Sequence, residues 1–295
     1  GSEMCIRDRL MSVYRNDNPL FFKEALASVT IAQELKPNQV VIVFDGPVSE
    51  EIETTISRIR KMDESIEYTV IRKPQNAGLA AALNSGLSYC KYEWVARMDA
   101  DDISISCRFK KQFEYLKEHP EVSVLGGYIV EFEDDFANLK SIRKVGCSYN
   151  EIVTMAKSRT PMNHVSVVYN KRAIFNINGY SEDFGKLEDY KLWVDLIAAG
   201  EILANISDVL VKVRIGDGFI ERRSSKREIE DWDMLQGYLI NAGLITKLKA
   251  LQNRFYIRAF IYMPVWMKKL AYKIVLRKGG DKNEKIQDWI YNRSV

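Results

Sequence analysis

The sequence is poor in the side chains that most often hold zinc or form disulfides, and it has no long apolar run. It contains two histidines and four cysteines, and no two cysteines form a Cys-x-x-Cys pair. This spacing excludes the usual zinc-finger patterns and gives no disulfide framework. No stretch of about 18 uncharged apolar residues is present, and the first residues do not resemble a signal peptide. We therefore expect a cytoplasmic protein that is neither exported nor membrane-spanning.

Two motifs of other nucleotide-binding enzymes are also missing. No Gly-x-Gly-x-x-Gly follows a predicted strand, which argues against a dinucleotide-dependent oxidoreductase. A nucleotidyltransferase would need a glycine-rich, basic phosphate loop after its first strand, and "SVYRNDNP" lacks one. The sequence contains no recognisable nucleic-acid-binding module, so we expect no nucleic-acid partner.

Short apolar runs alternate with amphipathic segments from residue 10 onward. The opening "GSEMCIRDR" carries four charges where a buried strand would be apolar, so we leave residues 1–9 outside the predicted fold. Strands are predicted at "LMSVY", "QVVIVF", "IEYTVIR" and "EWVARM", with helices between them. This alternation predicts an α/β protein with a mostly parallel sheet covered on both faces. Ligands of such sheets bind beyond the carboxyl ends of the strands.

An acidic cluster follows the fourth predicted strand, in "RMDADD". Asp99 and Asp101 are two residues apart, so on an extended segment both side chains point the same way. Two carboxylates that point together suit Mg²⁺ or Mn²⁺, whose preferred ligands are hard oxygens. The alternative is a solvated turn that caps the next helix, and Asp102 fits that description. The position after a buried strand favours the metal site.

Six segments occur in the order and spacing typical of family 2 glycosyltransferases, which have the GT-A fold. They are "MSVYRND", "VVIVFDGP", "NAGLAAALNSG", "RMDADD", "HPEVSVLGG" and "EDYKLW". The likeness covers roughly residues 10–215 and is greatest to bacterial enzymes that assemble capsule, exopolysaccharide or O-antigen units. The resemblance implies a nucleotide-sugar donor, with a UDP-sugar as first choice, and a glycan or lipid-linked acceptor. It also implies Mn²⁺ or Mg²⁺ as cofactor and inversion at the anomeric carbon.

The resemblance assigns roles to individual residues. Asp45 matches the acid that holds the nucleotide base, and Ser12 and Tyr14 lie in the first nucleotide-binding strand. Asp99 and Asp101 match the metal-diphosphate motif. The predicted donor site comprises Ser12, Tyr14, Asp45, Asn76, Gly78 and Asp99.

A base for the acceptor hydroxyl is predicted at the start of a later helix. A cation that bridges the departing diphosphate makes a general acid unnecessary, but the hydroxyl still needs a carboxylate within reach. In "GKLEDYKLWVDLIAAG", apolar residues at helical spacing anchor a buried helix and leave Glu188 and Asp189 in its first turn. The alternative is that both acids only complement the positive end of the helix. The resemblance selects Asp189 as base, Glu188 as second choice and Asp183 as third.

Three further residues are candidates for the site. His164 follows a proline-led loop, where it would contact the acceptor or the metal, or act as a hydrogen-bonded structural residue. Arg214 and Arg222 lie in "VKVRIGDGFIERRSS", whose glycines and arginines are typical of a mobile loop that folds over a diphosphate. A solvated basic linker is the alternative.

The carboxyl-terminal part differs in charge from the rest. Residues 243–280 carry nine lysines and arginines, six aromatic residues and no acid. We predict a catalytic domain over residues 10–225 and a basic helical extension over residues 226–295. Its segments are too short and too charged to span a bilayer. The extension either lies on the anionic inner face of the cell membrane or packs its aromatic residues on the catalytic domain.

Together these features predict an enzyme, a glycosyltransferase of the hexosyltransferase type in bacterial surface polysaccharide synthesis. A non-catalytic nucleotide- or glycan-binding protein of the same fold is the first alternative, and a nucleotidyltransferase is the second. A binding protein that had lost catalysis would be expected to lack the metal pair or the base, and the sequence has both.

Overall fold

Strands and helices alternate around one nine-stranded sheet. The computed structural model describes residues 6–133, 139–215, 226–264 and 266–268. The elements in chain order are β1 (Ile6–Val13), α1 (Pro19–Val29), β2 (Gln39–Phe44), α2 (Glu50–Met62), β3 (Glu67–Arg72), α3 (Leu79–Leu87), β4 (Trp94–Met98), β5 (Ile103–Ser104), α4 (Arg108–Glu118), β6 (Val122–Phe132), β7 (Leu139–Arg143), α5 (Tyr149–Ala156), β8 (Val168–Asn170), α6 (Lys171–Asn176), α7 (Glu188–Ala198), β9 (Ile202–Arg214), α8 (Lys226–Asn241) and α9 (Lys247–Tyr262). Short 3₁₀ helices at His164–Ser166 and Glu182–Leu187 precede β8 and α7.

The strand order is β3-β2-β1-β4-β8-β6-β9-β5, and β7 pairs with β6. Strands β1 to β4 run parallel to one another, as do β6 and β9. Strand β8 runs antiparallel to both β4 and β6, so it joins the two parallel groups. The predicted α/β class and all four predicted strands are confirmed. The second half of the sheet is mixed rather than parallel.

The first strand begins at Ile6, earlier than predicted, so leaving residues 6–9 outside the fold was wrong. The Arg9 guanidinium lies 3.4 Å from the Phe109 ring centroid and donates to the carbonyl oxygens of Ile6 and Leu35 at 3.0 and 3.2 Å. The Asp8 carboxylate accepts the Tyr92 N–H at 2.7 Å. Burial raises the pKa of Asp8 to about 6. A charged pair is tolerated in this buried strand because both side chains find polar partners.

Helices α8 and α9 lie in the predicted helical extension and pack against the preceding part of the chain. Leu235 and Leu239 of α8 join an apolar cluster with Tyr190 and Val194 of α7. The Asn253 side chain of α9 donates at 2.8 Å to the Lys157 carbonyl, and at the same distance to Gln236 of α8. Within the described ranges, no helix is long and apolar enough to cross a membrane. Residues 269–295 lie outside the described part.

Candidate active site

A cleft of about 710 Å³ lies beside the carboxyl end of β4. One side is formed by Arg97, Asp99 and Asp102, at or just after the end of β4. Glu188 and Asp189, at the start of α7, line the same cleft. Helices α8 and α9 complete the lining with Asp231, Trp232, Ile257, Phe260 and Ile261. The fold therefore brings Asp99 of the predicted metal motif, the predicted base and the carboxyl-terminal helices to one cavity.

The acidic segment after β4 is held by arginines. The two terminal nitrogens of the buried Arg97 guanidinium both donate to the Asp99 carboxylate, and the distance from Nη1 to Oδ2 is 2.8 Å. Burial, and then the neighbouring charge of Asp99, raises the pKa of Asp101 to about 6. The buried Asp102 carboxylate accepts the Arg214 N–H at 2.9 Å, which ties the segment to the end of β9. Asp102 thus has a structural partner on a strand rather than a role as a helix cap.

Asp17 joins this group, although the sequence argument did not select it. Its carboxylate accepts the Tyr14 N–H at 2.9 Å. Burial, and then the charges of Asp101 and Asp99, raise the pKa of Asp17 to about 7. The available signal was its place just after the first strand, at the same edge of the sheet as "DADD".

The donor set at this edge fits a divalent cation. In the described part of the chain, no group of three or more His, Cys, Asp or Glu residues has the arrangement of a metal site formed by protein ligands alone. Mg²⁺ is usually held by one or two carboxylates, with substrate phosphates and waters completing its shell. The raised pKa of the Asp101 carboxyl shows that its negative charge is disfavoured here, and a bound cation would relieve this. Asp99 and Asp101 therefore suit a cation that arrives with a diphosphate.

Asp45, the residue predicted to hold the base of the nucleotide, directly follows β2, and its carboxylate binds the loop that leads into α3. Its two carboxylate oxygens accept the N–H groups of Ala77 and Gly78 at 2.8 and 2.9 Å. The Asn76 side chain donates to the Asp45 carbonyl at 3.3 Å. Gly78 has φ +92°, a conformation that favours glycine. These contacts bring three predicted donor-site residues together at the entrance to α3.

Ser12 and Tyr14 sit on the neighbouring β1 edge. Ser12 lies in β1, and Tyr14 directly follows the strand with 42% of its surface exposed. Strand β1 pairs in parallel with both β2 and β4, and it therefore lies between Asp45 and the acidic segment. The predicted donor residues thus occupy adjacent strand ends.

His164 is a hydrogen-bonded residue of the cleft wall. Its Nε2 lies 2.8 Å from the Tyr180 hydroxyl, and its ring meets the Trp193 ring edge-on with centroids 5.8 Å apart. Burial and the charge of Arg97 hold the pKa of His164 well below its usual range. These contacts match the structural alternative for this residue.

Glu188 and Asp189 occupy the first turn of α7, as predicted. Leu192, Trp193, Leu196 and Ile197 are all buried, so the helix that carries the two acids is anchored in the core. Glu188 is buried, and desolvation together with the charge of Asp189 raises its pKa to about 7.

Asp189 is less buried than Glu188, and its Oδ1 accepts the Tyr190 N–H at 2.6 Å. The third candidate, Asp183, is exposed and does not line the cleft.

Arg214 is held against the acidic segment. Its guanidinium donates to Glu24 at 2.8 Å and to the Asp101 carbonyl at 3.3 Å, and it lies 3.8 Å from the Phe21 ring centroid. It therefore belongs to a strand end rather than to a loop. The predicted loop residue Arg222 lies outside the described residues.

Comparison with known proteins identifies the family. Residues 10–182 match the family described as Glycosyl transferase family 2. An uncharacterized glycosyltransferase of Haemophilus influenzae is 37% identical over 272 residues, which cover 91% of this chain and 98% of that protein. The chain therefore belongs to glycosyltransferase family 2, and it is an enzyme of the glycosyltransferase class, as predicted.

A second relative has a more specific name. The UDP-Gal:alpha-D-GlcNAc-diphosphoundecaprenol beta-1,3-galactosyltransferase of Escherichia coli is 32% identical over 272 residues, covering 91% of this chain and 96% of that protein. Among solved structures, the mannosyltransferase from Pyrobaculum calidifontis in complex with GDP-Man and Mn²⁺ has a TM-score of 0.61 at 15% identity, covering 99% of this chain and 81% of that one. The GT-A fold is confirmed.

Proposed function

We propose that this glycosyltransferase moves a hexose from a UDP-sugar to a lipid-linked acceptor in the synthesis of a bacterial surface polysaccharide. The observation that carries the proposal is that the acidic segment after β4 and the acids of α7 line the same cleft. Such a cleft has room for a donor diphosphate on one side and an acceptor hydroxyl on the other. The name of the Escherichia coli relative, which specifies UDP-Gal and a diphosphoundecaprenol-linked sugar, supports this choice of substrates.

On the donor side, Asp99 and Asp101 are the residues that would hold Mn²⁺ or Mg²⁺. A bound cation supplies positive charge that stabilises the diphosphate as it leaves. Arg97 keeps the Asp99 carboxylate oriented by two hydrogen bonds. We leave His164 out of this set because Tyr180 already contacts its Nε2. The cation in the mannosyltransferase structure supports a metal-dependent mechanism.

On the acceptor side, Asp189 takes the proton of the attacking hydroxyl. Burial, and then the charge of Asp189, raise the pKa of Glu188 to about 7, so Glu188 holds a proton more readily than an exposed acid and is the second choice as base. The hydroxyl attacks the anomeric carbon on the face opposite the diphosphate, and the bond to the diphosphate oxygen breaks. A single displacement of this kind inverts the anomeric configuration.

The outer face of α9 supports the membrane part of the proposal. Leu248, Leu251, Phe255 and Tyr262 fall on one helical face, and each is between 63% and 68% exposed. Helix α9 carries four basic residues and no acid. Arg254 and Arg258 pair with Asp233 of α8. An apolar face on a basic helix fits an anionic membrane surface, where a lipid-linked acceptor resides.

Transfer itself is tested with purified protein, Mn²⁺ and a panel of UDP-, GDP- and dTDP-hexoses, with a synthetic α-GlcNAc-diphospholipid as acceptor. We expect mass spectrometry to show the addition of one hexose, and NMR to show the inverted linkage. A retained anomeric configuration, or full activity in EDTA, would contradict the mechanism. Tight UDP binding, with neither hydrolysis nor transfer of any sugar in the panel, would favour the non-catalytic alternative.

Membrane association is tested by sedimentation with vesicles that contain anionic phosphatidylglycerol. We expect binding that weakens with added salt, because salt screens the attraction between charges. The affinity should also fall at least about fivefold in Phe255→Ser, since an aromatic side chain buried at the interface contributes about 1 kcal/mol or more. The matched control is Phe175→Ser on α6, whose side chain is 46% exposed on another face. Equal losses in both variants would show that α9 has no special role.

A further inference from the structure

A second basic group lies in the cleft, away from the acidic segment. Arg143 ends β7, and Arg159 lies in the loop after α5; both line the cavity. Arg143 is half-buried and Arg159 is exposed. In residues 6–133, 139–215, 226–264 and 266–268, neither guanidinium forms an ion pair with a carboxylate. Two arginines that face a cavity without acidic partners are suited to an anionic ligand.

The position of the two arginines separates them from the donor side. Strand β7 pairs with β6, and β6 is divided from β4 by β8. The acidic segment follows β4, and the other predicted donor residues lie on or just after β1 and β2 and at the entrance to α3. Arg143 and Arg159 therefore belong to a half of the cleft built from elements that carry none of the predicted donor residues.

An apolar wall lies in the same half of the cleft. Ile257, Phe260 and Ile261 recur at helical spacing on the inner face of α9, and all three are half-buried in the cleft lining. One turn earlier, Asn253 donates to the Lys157 carbonyl at 2.8 Å. This hydrogen bond fixes α9 against the loop that carries Arg159. The cavity thus offers cationic hydrogen-bond donors beside an apolar surface.

We infer that this half of the cleft is a binding site for the isoprenoid diphosphate of the acceptor. Arg143 and Arg159 bind the diphosphate oxygens, and Phe260 with its α9 neighbours contacts the first isoprenoid units. The sugar attached to the diphosphate then extends toward Asp189. This inference rests on the proposed lipid-linked acceptor, because a free glycan would have neither the charge nor the chain. The outer face of α9 would meet the membrane while its inner face holds the emerging lipid.

Calorimetric titration with farnesyl diphosphate tests the site without transfer. We expect wild-type protein to bind farnesyl diphosphate at least about tenfold more tightly than inorganic diphosphate, and farnesol not at all. Arg143→Gln and Arg159→Gln should each weaken binding by about 10-fold or more, since hydrogen bonds between charged partners are stronger than neutral ones. The matched controls, Lys144→Gln and Lys157→Gln, remove exposed charges next to each arginine outside the cleft lining and should leave binding unchanged.

Phe260→Ala separates the two parts of the site. This substitution should weaken the binding of farnesyl diphosphate several-fold and leave the binding of inorganic diphosphate unchanged, because only the isoprenoid chain would contact α9. Circular dichroism of each variant checks that the fold is retained, and variants that unfold are replaced by Arg143→Lys and Arg159→Lys, which keep the charge but lose the planar fork. Partial binding by the lysine variants supports the site.

Titration of UDP with Mn²⁺ in parallel distinguishes this inference from the proposed function. Unchanged UDP binding in both arginine variants supports the assignment to the acceptor. An equal loss of UDP and farnesyl diphosphate binding would place the arginines at the donor site and overturn it, as would wild-type farnesyl diphosphate affinity in both variants. If UDP fails to bind wild-type protein while farnesyl diphosphate binds through both arginines, the donor proposal fails and the isoprenoid site stands.

Discussion

The two sides of the cleft are built in different ways. On the donor side, Asp99 and Asp101 lie two residues apart just after β4, so the spacing in one short segment places both carboxylates. On the acceptor side, Arg143, Arg159 and Phe260 come from three separate elements that meet only through packing of α9 against the rest of the chain. A local pattern can therefore predict the donor side, whereas the acceptor side depends on contacts between distant parts of the sequence. Donor chemistry and acceptor choice should accordingly be separable by mutation.

The largest effect is expected from Asp101→Asn on the donor side. An amide is a poorer ligand for a hard cation than a carboxylate. We expect kcat to fall by about 10³-fold, the loss typical when a group that stabilises transition-state charge is removed, and UDP affinity to lose most of its dependence on Mn²⁺. Steady-state kinetics and calorimetry measure the two quantities. Glu64→Gln, an exposed acid outside the cleft, is the control. Metal-dependent UDP binding of wild-type strength in Asp101→Asn would remove this residue from the metal site.

A smaller loss is expected from Asp189→Asn, where the two sides of the cleft meet. Without its general base the enzyme should lose about 10²-fold or more in kcat, while the dissociation constant for UDP with Mn²⁺ stays nearly unchanged. Glu188→Gln is the matched variant, and it should retain more activity than Asp189→Asn. The reverse order of the two activities would move the role of base to Glu188.

The pH dependence of stability provides a third test, through Asp8, a buried acid in the first half of β1. Burial raises the pKa of Asp8 from 3.8 to about 6, so the folded protein holds this proton more tightly than the unfolded chain. The resulting stabilisation is complete below pH 3.8 and is lost as the pH rises through 6. Between about pH 4.5 and 7.5, the unfolding free energy of the wild-type protein should therefore fall by about 1–2 kcal/mol more than that of Asp8→Asn. Urea denaturation at both pH values measures this, and an identical pH dependence in the variant would show that Asp8 has an ordinary pKa.

The smallest effect is expected from Asn253→Ala on the acceptor side. Loss of the hydrogen bonds to Lys157 and Gln236 should loosen α9 and raise KM for the lipid-linked acceptor by about fivefold, about 1 kcal/mol for a neutral hydrogen bond. The donor KM should not change, because in the described part of the chain no hydrogen bond or ion pair joins α9 to a predicted donor residue. Gln252→Ala, at the neighbouring exposed position, is the control. A rise in donor KM alone would show that the two sides of the cleft are coupled.

The sequence predicted the features that depend on local pattern. The four strands β1 to β4, the buried face of α7 and the placement of Glu188 and Asp189 all follow from periodicity. The start of β1 was missed because Asp8 and Arg9 argue against burial until their partners Tyr92 and Phe109 are known.

The other residues that the sequence argument missed have the same explanation. Asp17 is close to Asp99 and Asp101 because β1 lies beside β4, and this pairing of strands is not visible in the sequence. Arg143 and Arg159 have no motif around them, and they come together in one cavity only in the folded chain. The structure adds these residues through contacts that a single sequence does not reveal.

The most direct test of the central claim, that the donor side binds a nucleoside diphosphate together with a cation, is the calorimetric titration of wild-type protein with UDP in the presence of Mn²⁺ and again in EDTA. The account predicts binding with Mn²⁺ that weakens at least about tenfold in EDTA, a difference of about 1.4 kcal/mol. Equal affinity with and without the cation, or no binding of UDP, GDP or dTDP under either condition, would contradict it.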